Sequence, residues 1–450
     1  MQNDILLNAR ALKLIHRLRE QVRHPGLCVR HRRRAQDFSR ECRLTFPVLV
    51  ILLLQKSLKS LQARLHEYVR QLALGAEGRN LSAGALTHAR AKLSAEVFVE
   101  LNRQAVLPTI YGDENRQLVQ RWHGHRVLGV DSSVLRLPKN ETVAQKYGWM
   151  ECSNEYTLPQ RYAQARMSVL YDLLNEVAVD ASLAAWKVGE EELAYGHLDW
   201  IEPDDLLITD RGYTSYLWLL DVLAKGGQFV SRCSSSSFLP VQNLFKQDRA
   251  GVSVFATLQG GKKIRAQCRK RGLPWELKVR FVTVRLKTGE LEVLVTSLLD
   301  EAAYPNQELA ALYWRRWGQE TFYARLKGRM DLENCSGLTL DAVEQDFAAT
   351  VLLSNVESVV IGPAAVELAQ RTRHRDQPAK INRAVSIHAL KTRLIELLSS
   401  SVPAEQILAE LTQWFQQNPV AIRKNRKVSR SEYSAARSYH YQRYVRKIVF

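Results

Sequence analysis

Two short apolar runs, residues 127–130 and 206–209, are each followed at once by an aspartate, Asp131 and Asp210. Runs this short, without polar alternation, read as strands buried on both faces, the kind that lie in sheets covered by helices. Between and after them lie stretches of helical texture, 190–198 and 216–223, then a strand-like piece at 229–231 beyond the break at Gly226-Gly227. Residues 166–172 and 177–183 look like two strands joined around Asn175. Strands alternating with helices make this part of the chain α/β. A carboxylate beside a strand core is costly to bury unless it is paired or bound to a cation. One such aspartate is an ordinary capping or turn residue; two in one α/β domain suggest a metal-binding pair.

The flanks differ. Residues 1 to about 106 lack strand alternation and read as helical. Their longest apolar run, 46–54, is about half the ~20 residues a membrane helix needs, so it reads as a buried helix. Ser82 is placed to cap one short helix, and Ser94 with Glu96 the next. The pair fits a helix-turn-helix in a basic region or an ordinary bundle. Residues 232–300 form a β-rich block, with alternation at 252–258, 263–269, 277–286 and 291–298 and turns at Gly260-Gly261, Gly272-Leu273-Pro274 and Thr288-Gly289. Helical texture resumes at Asn306 and runs through Val359, and again after Gly362-Pro363.

Charge narrows the class of partner. Lys and Arg number 64 against 46 Asp and Glu, a net +18 over 450 residues. The excess concentrates in Arg30, Arg32, Arg33 and Arg34 and in a tail from Ala421, pointing to a polyanion, above all nucleic acid. Each cluster would neutralise several phosphates and make binding fall steeply with salt. Six dispersed cysteines, none in a CxxC pair, exclude zinc-knuckle spacing and a dense disulfide framework. With no signal peptide visible, a reducing cytoplasm is the expected compartment. His123 and His125 lack a nearby third ligand and read as ordinary polar residues.

The third acidic residue comes from a predicted helix. Tyr313, Arg316, Glu320 and Lys327 stand at offsets 0, 3, 7 and 14. At ~100° per residue one helix would carry them in a stripe about 60° wide and about 21 Å long. Such a face offers a phenol, a guanidinium, a carboxylate and an ammonium in a row. Taken alone it also fits a solvated face with an Arg316–Glu320 pair.

Together these residues resemble the catalytic signature of the IS4-type insertion-sequence transposases, which have a DDE active site. The helix motif Tyr, two residues, Arg, three, Glu, six, Lys is matched without departure from Tyr313 to Lys327. The aspartate motifs are similar at Val127-Leu128-Gly129-Val130-Asp131 and at Leu207-Ile208-Thr209-Asp210-Arg211-Gly212-Tyr213. The resemblance implies that Asp131, Asp210 and Glu320 bind two Mg²⁺ ions, for which Mn²⁺ can substitute. It implies DNA contacts for Tyr313, Arg316 and Lys327, with Arg211 and Tyr213 as further candidates. Three carboxylates suit hard divalent cations and a phosphodiester reaction that needs two of them.

The implied fold is α/β: an RNase H-like mixed five-stranded sheet flanked by helices, interrupted by a β-rich insertion, with all-α N- and C-terminal regions. The expected divisions are 1–115, helical and binding DNA ends; 116–231, the first part of the catalytic domain; 232–299, the insertion; 300–362, the second part, with Glu320; and 363–450, a helical region and basic tail for dimerisation or DNA contact. The implied reaction nicks each transposon end with activated water. The freed 3′-hydroxyl then attacks the opposite strand, giving a hairpin, or attacks target DNA. Relatives using hairpins need an aromatic residue in the insertion; Trp275 matches no alignable motif and reads as a core residue. The implied partners are inverted-repeat ends, target DNA and a second copy of the chain in a homodimer, with no membrane, in a bacterial-type cytoplasm on the nucleoid. The alternatives are a catalytically silent DNA-binding derivative and a metal-dependent nuclease without strand transfer.

Overall fold

The computed structural model describes residues 2–40, 43–56, 61–71, 81–154, 157–286 and 288–423. Of the basic tail, all but its first residues, including Arg423, lie outside the described residues. The chain divides into two compact units. One holds residues to 119, 135–164 and those from 324 onward; the other holds 120–134 and 165–323.

Among the described residues, nine strands form one mixed sheet. They are β1 Arg126–Leu137, β2 Trp149–Asn154, β3 Thr157–Asp172, β4 Val177–Ala185, β5 Asp205–Thr209, β6 Gln228–Arg232, β7 Ser253–Gln259, β8 Glu276–Arg285 and β9 Leu291–Thr296. Their order is β2-β3-β1-β5-β6-β9-β8-β7, with β4 also paired to β3. Strands β1, β5 and β6 run parallel, while β9 joins β6 antiparallel through Val230↔Thr296.

The sheet is therefore larger than the five strands expected. The strands of the 232–299 block continue it, because the edge of β6 has backbone groups that need partners. Strand β2 went unrecognised in the sequence. Strand β1 runs on to Leu137, so Asp131 lies within it instead of closing it.

Two more expectations change. Residues 263–269 are not a strand: Lys262–Arg271 is an α-helix. Its Lys, Arg, Ala and Gln residues favour helix, and it stops at Gly272, whose φ of +66° suits a left-handed cap. Trp275, beyond that cap, is 48% exposed and no core residue. Nor is the Tyr313–Lys327 segment one helix. Asn306–Tyr313 ends, Trp314–Arg316 forms a tighter 3₁₀ turn, and Trp317–Gly328 follows.

In the unit containing the N-terminus, helix Leu340–Val360 is buried along most of its length. The apolar run lies in the buried helix Phe46–Gln55. No single described helix is long and apolar enough to cross a membrane. Ser82 caps Ala83–Arg90 through the Ala85 N–H at 3.1 Å. The following helix, Glu96–Leu101, buries Val97, Phe98 and Leu101. Its Glu100 binds Arg30 and His31. The helix thus turns an apolar face inward and its acids outward. Arg30 and, through Asp341, Arg33 are thus already paired within this unit.

Candidate active site

The parallel pairing of β1 with β5 sets the site. Gly129 lies opposite Ile208. Two residues further along stand Asp131, still within β1, and Asp210, just past the carboxyl end of β5, the end at which α/β sheets bind ligands. Asp210 closes β5 and caps the turn Arg211–Tyr213, its Oδ1 accepting the Arg211 N–H at 2.7 Å. The Asp131 Oδ1 accepts the Ser132 N–H at 2.8 Å. Burial pushes the Asp131 carboxyl up to about 6; the nearby charges of Glu190 and Asp210 add to this, against the Ser132 N–H and Arg316.

Glu320 sits in the first turn of Trp317–Gly328. Its neighbours fasten that helix to the sheet. The buried Gln319 donates its Nε2 to the Val169 carbonyl at 3.0 Å. Phe322 stacks on Tyr171 at 4.2 Å between ring centroids. Tyr323 donates its hydroxyl to the Asp131 carbonyl at 2.5 Å. Gly129 allows the close approach: a Cβ there would stand 2.7 Å from Gln319 Oε1.

Arg316 is buried and donates from Nη2 to Glu320 Oε1 at 3.1 Å. Burial works to lower its pKa, but Tyr313, Asp210 and Glu320 together outweigh it, and the pKa is raised. Its charge also acts on Asp131. Its carboxylate hydrogen-bond partner is thus Glu320, and its charge reaches Asp131 and Asp210 through space. The 3₁₀ turn contributes, since residues i and i+3 eclipse in that geometry: Arg316 lies 6.0 Å from the Tyr313 ring centroid. Tyr313 is buried, its hydroxyl has no hydrogen-bond partner among the described residues, and burial pushes its pKa up.

The remaining candidates differ in placement, Tyr213 lying near Asp131 and Ser132, and Lys327 elsewhere. Arg211 is exposed beside Asp210. Tyr213 is 1% exposed, so its ring packs inward. Lys327 belongs to the other unit, where burial lowers its pKa against the pull of Glu333. His123 and His125 are ordinary polar residues, the first 2.7 Å from Glu308 and the second 2.7 Å from the Asp204 carbonyl.

Several site residues escaped the sequence reading. Arg166 donates to the Ser132 hydroxyl at 3.0 Å and to Glu190 at 2.5 Å, bringing a fourth carboxylate towards Asp131. Its one sequence signal is the acidic run Glu190-Glu191-Glu192 after Gly189. Beneath Asp131 runs a buried chain: Asp180 to His197 Nδ1 at 2.8 Å, His197 Nε2 to Ser168 at 3.0 Å, and Ser168 to the Asp131 carbonyl at 3.4 Å. Ser168 and His197 are fully enclosed, so this chain supports the strand and meets no substrate.

The donor set suits a hard divalent cation, being carboxylate oxygens. Among the described residues, no three His, Cys, Asp or Glu side chains are gathered closely enough to hold an ion.

A family model described as "Transposase DDE domain" matches residues 122–356, more than half of the chain. The transposase InsG of insertion sequence element IS4 from Escherichia coli (strain K12) is 26% identical over 304 residues, 65% of this chain and 64% of that protein. InsZ of the same organism, also described as a transposase, is 28% identical over 165 residues, 36% of this chain and 53% of that one. The chain thus spans under two thirds of either relative. The cryo-EM structure of a piggyBac transposase synaptic complex with hairpin DNA aligns with 96% of this chain and 88% of its own, at 11% identity and a TM-score of 0.42. That likeness is too low to assign anything to particular residues.

Proposed function

The chain belongs to the DDE transposase family, in its IS4-type branch, and on that premise we propose that it is the DNA transposase of an insertion sequence. It binds terminal inverted repeats, cleaves the transposon ends and joins the 3′-hydroxyl ends to target DNA. The observation that supports this reading is the β1–β5 register, which puts Asp131 and Asp210 equally far beyond Gly129 and Ile208, with Arg316 bonded to Glu320.

In this reading Asp131, Asp210 and Glu320 hold two Mg²⁺ ions, with Mn²⁺ as a substitute. Such ions activate an oxygen nucleophile and stabilise the leaving oxygen. Arg316 is the resting counter-charge. Its planar fork could hold a DNA phosphate bidentately were the ions bound. Arg211 is exposed for a phosphate contact, and Lys327 and Tyr313 are DNA contacts by the family's helix motif. The strand order β4-β3-β1-β5-β6 within the larger sheet supports an RNase H-like core. The N-terminal helices take the transposon ends, and the C-terminal helices support a homodimer in which two ends are processed together. The chain works in the cytoplasm on the nucleoid, away from membranes.

The test is a strand-transfer assay with Mg²⁺ and the inverted repeats flanking the reading frame, comparing the natural chain with Asp210→Ala. Loss of cleavage and joining in the variant is expected. Joining that persists in the variant removes the site assignment. Cleavage without joining by the natural chain identifies a nuclease, and DNA binding without either identifies a silent derivative. The same gel separates hairpin ends from open ones.

A further inference from the structure

Helix Lys262–Arg271 is the most basic described helix that is exposed along its length. Lys262, Lys263, Arg265, Arg269, Lys270 and Arg271 are all exposed, and the segment contains no acid. Two of these cations are used within the protein. Arg265 donates to the Gly260 carbonyl at 2.8 Å and to Gln259 at 3.0 Å, and Arg271 pairs with Asp221. No ion pair engages Lys262, Lys263, Arg269 or Lys270 among the described residues.

The helix is fixed from its other side. Cys268 is fully buried. The Tyr216 hydroxyl lies 3.1 Å from the Leu258 carbonyl and 2.6 Å from that of Trp275, joining the segments before and after the helix. Ile264 presses on Gly260, where a Cβ would meet it at 2.4 Å. With that side inward, Lys262, Lys263, Arg265, Arg269 and Lys270 spread over an arc of about 160° on the outer side. Lys262 and Lys270 are about 12 Å apart along the axis. A DNA strand places a phosphate every ~3.4 Å of helix axis, so the face spans three or four phosphates.

The local sequence works against helix stability. Lys262 and Lys263 occupy the first turn, where the helix dipole disfavours cations. Lys262 with Arg265, and Arg265 with Arg269, set like charges at i, i+3 and i, i+4. Local conflicts of this kind mark functional positions, and an anionic partner relieves both.

We propose that this helix is a docking face for the phosphate backbone of duplex DNA of arbitrary sequence. Contacts made by charge alone read no base sequence, which fits target DNA better than a transposon end. Only the word "target" rests on the transposase reading; the duplex contact stands apart from it.

The test uses the full chain and a random-sequence duplex, with affinity measured by fluorescence anisotropy from about 50 to about 200 mM salt. The variant Lys262→Gln/Lys263→Gln/Arg269→Gln/Lys270→Gln should lower the slope of log affinity against log salt by about 3 to 4. Over that range the natural chain then loses roughly a hundredfold more affinity than the variant. An equal charge removal elsewhere, Arg371→Gln/Arg373→Gln/Arg375→Gln/Lys380→Gln, should leave the slope near that of the natural chain. An unchanged slope in the helix variant, or equal reductions in both, overturns the proposal. Circular dichroism confirms that both variants fold. In the joining assay the helix variant should cleave ends normally and lose target joining; loss of cleavage to the same degree overturns the assignment to target DNA. If the natural chain neither cleaves nor joins, yet shows the helix-dependent slope, the transposase reading fails and the docking face stands.

Discussion

Tyr323 hydrogen-bonds the backbone carbonyl of Asp131 at 2.5 Å, one helical turn beyond Glu320. The helix bearing one candidate ligand is thereby fastened to the strand bearing another. Tyr323→Phe keeps the ring and removes the bond. The Asp131 carbonyl and Gln319, whose Nε2 lies 3.4 Å from the same hydroxyl, lose a partner. The expected cost is about 1–3 kcal/mol in denaturant unfolding, with DNA cleavage reduced more than DNA binding. Cleavage equal to that of the natural chain would separate this bond from the site's geometry.

Gly129→Ala should cost a similar amount, about 1–3 kcal/mol. The new methyl would press on Gln319 Oε1 and on the Leu173 methyls 3.4 Å away. Because the clash is with one side chain, Gln319→Ala in the same chain should make the two effects non-additive. A double-mutant cycle in urea reads this; strict additivity would mean the helix accommodates the methyl elsewhere.

Asp131 sets a pH dependence in the metal-free protein. Its carboxyl rises from 3.8 to about 6 on burial, so the folded state holds the proton more tightly than the unfolded chain does. That contribution is fully present below pH ~4 and is lost as pH rises through about 6, by roughly 3 kcal/mol at most. Asp131→Asn should flatten this window and raise stability at neutral pH. Unfolding midpoints at pH 4.5 and 7.5 in chelator, at constant ionic strength, check it; parallel shifts in both proteins would contradict it.

Arg316→Ala removes the charge bonded to Glu320 and felt by Asp131 and Asp210. In chelator the variant should lose about 1–2 kcal/mol through the lost hydrogen bond and packing, because Glu320 is 40% exposed and water takes over much of its charge. Millimolar Mg²⁺ should restore part of that stability in Arg316→Ala and none in Arg316→Ala/Asp210→Ala. Calorimetric melting with and without Mg²⁺ distinguishes the two. Equal Mg²⁺ effects would mean the ion binds elsewhere.

What was legible in the sequence was whatever lies in continuous pattern. The cores of β1 and β5 appear as apolar runs ending near Asp131 and Asp210, and the Tyr–Arg–Glu–Lys spacing is a local signal. What depends on distant segments was hidden. The pairing of β9 with β6 is a non-local choice, so a continued sheet looked like a separate block. Residues 262–271 lay among true strands and borrowed their reading, although their composition favours helix. The helical stripe assumed uniform 3.6-residue turns and missed the 3₁₀ segment at Trp314–Arg316. The burial of Tyr213, and the approach of Glu190 through Arg166, exist only after folding.

The two aspartates stand equally far along their strands because β1 and β5 run in step, Gly129 beside Ile208. Side chains alternate between the two faces of a strand, so a single-residue insertion or deletion between 126 and 131 would turn the first carboxylate to the opposite side. Exchanging one apolar residue for another there, Gly129 excepted, leaves the alignment untouched. In these two strands, then, residue count is under tighter constraint than residue identity, and related chains should differ in spelling there while agreeing in length.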